Sequence, residues 1–129
     1  MRPKQNARIL LVDDDQAIRR STRLILENEG YECREADGAV EALAMLDGGL
    51  RVDVIVTDLH MPDINGLNFM KALSYRVNGR GIRVILISGN LNGETERQVL
   101  ESGAFAVFDK PLDYPRFLRT LSLALEPDS

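Results

Sequence analysis

Three acids, Asp13, Asp14 and Asp15, follow the apolar run of "ILLVDDDQAIRR", and Asp58 ends the run in "VTDLHMPDING". Ser88 closes "VILIS", and Lys110 stands in "FDKPL". An acid at the end of a hydrophobic strand is costly to bury, so it needs a partner or a task. Brought to one place, these residue types describe a definite chemistry. Clustered carboxylates repel, and a cation must be present for all of them to stay ionised. Oxygen ligands with no Cys, and no His in the acid cluster, favour Mg²⁺ or a similarly hard ion. Magnesium takes one or two carboxylates together with waters and phosphate oxygens, so such a site expects a phosphoryl group. Ser88 would donate a hydroxyl to that group and Lys110 would supply positive charge. Asp58 would be the nucleophile, forming an acyl phosphate.

Whether these residues meet depends on the elements that carry them. Five short apolar runs have the length and β-branched content of strands. They are "RILLV" (Arg8 to Val12), "YECRE" (Tyr31 to Glu35), "VDVIVT" (Val52 to Thr57), "IRVILIS" (Ile82 to Ser88) and "AFAVF" (Ala104 to Phe108). Runs one, three and four are apolar on both faces, which places them in a mostly parallel sheet covered on both sides. The second run alternates polar and apolar residues, as an edge strand does.

Crossover helices fit between the runs. The first starts near Asp15, shows Ala17, Ile18, Leu24 and Ile25 on one face, and stops at Gly30. The second carries Val40, Leu43 and Leu46 before Asp47-Gly48-Gly49. The third has Leu67, Met70, Leu73 and Val77 and ends near Asn78-Gly79. The fourth, "GETERQVLES", is mostly polar, with Val99 and Leu100 as its apolar anchors. The fifth opens on Asp113 as N-cap with Pro115 in its first turn, then offers Phe117, Leu118, Leu121 and Leu125. Five strand–helix alternations predict an α/β fold: a doubly wound five-stranded parallel sheet in the flavodoxin-like order 2-1-3-4-5, helices on both faces. In that order strands one and three are neighbours at the topological switch point, where ligands bind beside the strands' carboxyl ends. Asp13 and Asp14 are thereby expected close to Asp58, with Ser88 and Lys110 at the next two strand ends.

Composition excludes several classes. The chain has 129 residues, 44% apolar and 28% charged, with a formal net charge of −4 and scattered basic residues, so no nucleic-acid groove or anionic membrane surface is indicated. The single cysteine, Cys33, rules out an internal disulfide framework and a Cys-based zinc site, and reads as packing. No run approaches membrane-span length and "MRPKQNA" lacks a signal-peptide core, so a cytoplasmic location is expected. Each site residue also has a bland reading. Asp15 serves equally as a helix N-cap, Lys110 as a solvated lysine and Ser88 as a turn residue. Their joint placement at four strand ends favours the cluster.

These residues resemble the response-regulator receiver domain of two-component signalling, in its chemotaxis-regulator-like form. "ILLVDDDQAIRR", "VIVTDLHMPDINGL", "VILISG" and "FDKPL" resemble that family's acidic pair, phospho-accepting loop, hydroxyl strand end and Lys-Pro, in order, and the likeness runs from Arg8 to Leu125. The resemblance implies Asp58 as phosphorylation site. It implies Mg²⁺ at Asp13, Asp14 and Asp58 with the His60 backbone carbonyl as a further ligand, Ser88 as switch hydroxyl and Lys110 on the phosphoryl oxygen. A cis peptide before Pro111 is also implied. Met61-Pro62 would hold an extended turn that returns the His60 carbonyl toward the metal, and Asn65-Gly66 would start helix three.

One position departs from the family: the usual inward-swinging aromatic three residues before the lysine is Val107. Phe105 and Phe108 flank it, but side chains alternate across a strand, so neither replaces it. A switch through Ser88 and the following "GNLNG" is expected instead, with a malleable helix four. His60, the single histidine, is either a solvated bystander or a group that tunes loss of the phosphoryl group.

The resemblance implies a phosphoacceptor that assists its own phosphorylation and is not an enzyme toward an external metabolite. Its partners would be a histidine kinase or phosphotransfer protein and a downstream protein or a second copy, read by the helix 4–strand 5–helix 5 surface. One receiver domain is expected over residues 1–129, with an ordered core over about 8–126, standing alone or cut from a longer protein. Three rivals stand beside it. A haloacid-dehalogenase-type phosphatase would use Asp13 as nucleophile and Asp15 as acid/base, but it leaves Asp58 unexplained and needs a late acidic pair where the chain offers Asp109 and Asp113. A flavodoxin-like binder would want Gly, Ser or Thr after strand one, where three aspartates repel phosphate. The third is a receiver-like scaffold that works without phosphorylation.

Overall fold

The structure is a computed structural model that describes residues 6–77, 80–89 and 93–126. Strands and helices alternate: β1 (Arg8–Val12), α1 (Gln16–Asn28), β2 (Glu32–Ala36), α2 (Ala39–Asp47), β3 (Val54–Asp58), α3 (Gly66–Val77), β4 (Arg83–Ser88), α4 (Gly93–Glu101), β5 (Ala106–Asp109) and α5 (Tyr114–Ala124). The sheet order is β2-β1-β3-β4-β5, every pair parallel, as expected. β2 is an edge, with Cys33 buried between exposed Glu32 and Arg34, while Ala36 at its end is buried as well. Among the described residues, no helix is long and apolar enough to cross a membrane.

The period-two pattern of the strands feeds two cores. Leu10, Val12, Ile55, Val84 and Leu86 point to one face, where Ala39, Ala42 and Leu46 of α2, Phe69, Met70 and Leu73 of α3 and Val99 of α4 cover them. Ile9, Leu11, Val54, Val56 and Ile85 point to the other, covered by Leu26 of α1 and Phe117 and Leu121 of α5. Cys33 packs into this second core, as the sequence suggested, and burial pushes its thiol up to about 12.

Three helix faces differ from expectation. In α1 the buried residues are Thr22 and Leu26, while Leu24 is 68% exposed and Ile18 40%. The Thr22 hydroxyl shares a 3.1 Å hydrogen bond with that of Tyr114, so a polar residue sits on the buried stripe. Leu24 precedes Leu26 by two positions, more than half a turn around the helix. In α2, Val40 is exposed and Ala39 and Ala42 are buried, since small side chains let the helix approach the sheet. In α4, Val99 is fully buried but Leu100 is exposed. α5 follows its sequence closely: Asp113 accepts the Arg116 amide, Pro115 lies in the first turn, and Phe117 and Leu121 are buried. The predicted end of helix three at Asn78-Gly79 and residues 90–92 of "GNLNG" lie outside the described residues.

Asn65 caps α3, its side-chain oxygen accepting the Leu67 and Asn68 amides at 2.9 and 3.2 Å. Gly66 lies so close to Leu59 that a Cβ there would collide with the Leu59 side chain and carbonyl oxygen. Gly66→Ala is therefore expected to lower stability by about 1–3 kcal/mol in urea unfolding, as overpacking does. An unchanged midpoint would show that the loop yields freely. The Cys33 thiol should resist a disulfide reagent in the native protein at pH 8, far below its shifted pKa, and react fully once urea exposes it. Rapid stoichiometric labelling of the native chain would contradict this packing.

Candidate functional site

The site lies at the carboxyl end of the sheet, where β1 and β3 run side by side. Their register pairs Val12 with Thr57, so the next residues lie side by side, Asp58 as the last residue of β3 and Asp13 just past β1. Asp58 is 6% exposed and has two distinct partners. Its Oδ1 accepts the His60 main-chain amide at 2.9 Å, and its Oδ2 accepts Lys110 Nζ at 2.6 Å. Lys110 Nζ also stands 4.0 Å from Asp13 Oδ2. Asp13, Asp14 and Asp58 each present a carboxylate oxygen within 4.8 Å of the others. Three acids thus share one ammonium.

The electrostatics follow from this crowding. Burial raises the Asp13 pKa, the Asp15 amide bonded to its Oδ1 at 2.9 Å opposes that, and the Asp58 charge adds to the rise. For Lys110, burial works against the charged form, but the hydrogen bond to Asp58 and the surrounding acids outweigh it and hold the ammonium above its ordinary range. A cluster of hard oxygen donors with a net negative charge suits a divalent cation such as Mg²⁺ or Ca²⁺, so the residues present fit the metal expected from their chemistry.

Backbone geometry explains why each side chain arrives here. Lys110 follows β5, and its amide donates to the Ser88 carbonyl at 2.9 Å, which carries the β4–β5 pairing one step past the strands. The Lys110–Pro111 peptide is cis, as the resemblance implied. Ser88 is fully buried at the end of β4; Asp58 pairs with the preceding Ile87, and the Leu59 amide donates to the Ile87 carbonyl at 2.8 Å. His60 joins the site through its backbone while its side chain is exposed, and it bridges to Asn65. Asp13, Asp58 and Lys110 also line a cavity of about 540 Å³ between α1 and the segment leading into α5.

Two acids take the bland reading. Asp15 caps α1, its Oδ1 accepting the Ala17 and Ile18 amides at 3.0 and 3.2 Å. Asp113 caps α5. The phosphatase alternative wants Asp15 as acid/base and a late acidic pair, whereas Asp15 and Asp113 cap helices and the acid buried against Lys110 is Asp58, which that alternative leaves unexplained. Arg19 went unnoticed in the sequence. Its guanidinium reaches back to the Asp13 carbonyl oxygen at 2.5 Å and pairs with Glu35 at 2.7 Å. The signal was its spacing: Arg19 is one helical turn beyond the cap Asp15, and helical side chains point toward the N-terminus.

Comparisons with known proteins agree with this geometry. The family model for the response regulator receiver domain matches residues 9–122. The sensor kinase CckA of Brucella abortus is 30% identical over 94% of this chain and 13% of its own length. The transcriptional regulatory protein FixJ of Azorhizobium caulinodans is 34% identical over 80% of this chain and 47% of its own. The chain therefore spans less than half the length of these relatives. A CheY-like receiver domain from Methanospirillum hungatei superposes with a TM-score of 0.83 at 35% identity, covering 92% of this chain and 93% of that one. With a fold, an acid cluster and a family match that coincide over nearly all its described residues, this chain belongs to the response regulator receiver domain family.

Proposed function

We propose that Asp58 accepts a phosphoryl group from the phosphohistidine of a histidine kinase or phosphotransfer protein. An Asp58 carboxylate oxygen forms the new bond to phosphorus, the bond from phosphorus to the donor imidazole breaks, and the imidazole leaves with that electron pair. The observation that carries this reading is the 2.6 Å contact of Lys110 Nζ with a 6%-exposed carboxylate beside two further acids. Asp13, Asp14, Asp58 and the His60 carbonyl would hold Mg²⁺, which supplies neutralising charge and polarises phosphoryl oxygens. On phosphorylation Lys110 would pass from the Asp58 carboxylate, which it touches at 2.6 Å, to a phosphoryl oxygen, and Ser88 would be the switch hydroxyl. The chain turns over no external metabolite, works in the cytoplasm, and acts as one receiver domain over residues 1–129.

The switch is read out through α4, β5 and α5 by a downstream protein or a second copy. Val107 supports a transmission that does without the usual aromatic: it packs on the α4 side of the sheet, whereas Phe105 and Phe108 belong to the α5 side. Helix α4 has Val99 as its fully buried anchor, which fits an element that shifts at low cost.

Intact mass after incubation with acetyl phosphate tests the acceptor. A Mg²⁺-dependent phosphoryl adduct is expected in the native chain and lost in Asp58→Asn and Asp13→Asn. An adduct that survives Asp58→Asn would overturn the assignment. Lys110→Met removes a positive charge from among the acids, so Mg²⁺ should bind several-fold more tightly while phosphorylation slows by about tenfold or more. Calorimetric titration showing weaker Mg²⁺ binding in that variant would contradict this charge arrangement.

A further inference from the structure

Asp13 has its flanking peptide groups held from two sides. Its amide donates to the Ala36 carbonyl at the end of β2, at 3.2 Å. Its carbonyl oxygen accepts Arg19 Nη1 at 2.5 Å. Arg19 is itself fixed: its side chain is 11% exposed, and its Nε bonds Glu35 Oε1 at 2.7 Å. Glu35 is the neighbour of Ala36, so one strand end supplies both the direct anchor and the support for the indirect one. The other oxygen of Glu35 takes Arg23 at 2.7 Å. Arg23 first, with Arg19 adding to it against burial, keeps the Glu35 carboxyl below its usual range and so ionised. With amide and carbonyl both pinned, the Cα–Cβ direction of Asp13 is set. The Asp15 amide on Oδ1 then leaves Oδ2 as the oxygen nearer Lys110.

We propose that Arg19, braced by Glu35, is a positioning residue that holds the Asp13 carboxylate ready for the divalent cation. The inference rests on the reading of Asp13, Asp14 and Asp58 as a Mg²⁺ site. Arg19 touches neither the cation nor the phosphoryl group; it acts through the main chain of Asp13. Only a planar guanidinium fork serves, because Nε and Nη1 must meet two acceptors in fixed directions at once, which a lysine ammonium on a flexible stem does not reproduce. Outer partners of metal ligands commonly set affinity by tenfold or more.

Two simpler roles for Arg19 predict different results, which makes the test sharp. As a nearby positive charge, Arg19 would repel Mg²⁺, so its removal would strengthen binding. As a support for the fold alone, it would change the unfolding temperature and leave cation affinity intact. The experiment is calorimetric Mg²⁺ titration of the full chain, with thermal unfolding in chelator measured alongside. The variants are Arg19→Met, Arg19→Lys, Asp13→Asn and, as a control of equal charge loss at the remote pair with Asp47, Arg76→Met.

Arg19→Met and Arg19→Lys are both expected to weaken Mg²⁺ about tenfold, with Arg76→Met within about twofold of the native chain. Arg19→Lys keeps the charge and much of the stem, so it carries the test should Arg19→Met fold poorly. Tighter binding in Arg19→Met, or native affinity in Arg19→Lys, overturns the proposal while the native chain still binds Mg²⁺. A native chain that fails to bind, or an Asp13→Asn variant that binds as well, overturns the Mg²⁺ reading itself and the proposal with it.

Discussion

Everything at the carboxyl edge of this sheet depends on one unequal balance of charge: three carboxylates against the Lys110 ammonium. At the 4.0 Å that separates Lys110 from Asp13, unit charges interact with about 4 kcal/mol at the effective dielectric of a partly buried site. That is enough for each protonation or charge change to be felt by every other member. Lys110 therefore serves two purposes. It compensates Asp58, which would otherwise be an ion with 6% of its surface left to water, and it leaves the cluster short of full neutralisation. A group of oxygen donors in that condition favours a hard cation and, beyond it, an incoming group with oxygens of its own.

The rest of the fold keeps this balance in place. β1 and β3 are buried on both faces, between α1 and α5 on one side and α2, α3 and α4 on the other. Strands clamped in this way offer rigid ends, and the site residues sit on those ends or one residue past them. The loops are tied down by local bonds: Asp15 and Asn65 cap the helices that follow β1 and the β3 loop, and Gly66 permits a backbone approach that a side chain would block. The helices differ in how many buried anchors hold them, and α4 has the fewest, Val99 alone among its described residues. It follows β4, the strand that ends in Ser88.

Strands were easier to read from the sequence than helix faces, and the reason is geometric. A strand buried on both sides needs only a short run of apolar residues, and the length and β-branched content of "RILLV" and "IRVILIS" suit strands. Their spacing along the chain then carried the site, because strand ends in a parallel sheet converge. A helix face depends on which polar residues are recruited inward, and α1 recruits Thr22 by pairing its hydroxyl with Tyr114, a residue ninety-two positions away. No window of local sequence contains that information. Arg19 was hidden for a related reason: a charged residue on an amphipathic helix usually reads as solvated, and its acceptors lie on the β1–α1 turn and on β2. Asp15 illustrates the opposite case, where the modest local reading as an N-cap is the one the structure adopts.

The register of the sheet joins the site to the core so closely that neither exists without the other. Pairing Ile9 with Val54 and Val12 with Thr57 sends alternate side chains of both strands into the two cores. A slip of one residue would turn every apolar side chain to the opposite face and, in the same step, separate Asp13 from Asp58. The same holds one strand over, where Ser88 pairs with Asp109 and so brings Lys110 alongside. Apolar burial therefore selects the arrangement in which like charges are forced together. The repulsion between these acids is borne by the packing of Leu10, Ile55, Val56 and Ile85 behind them, and it is this borne repulsion that a divalent cation relieves.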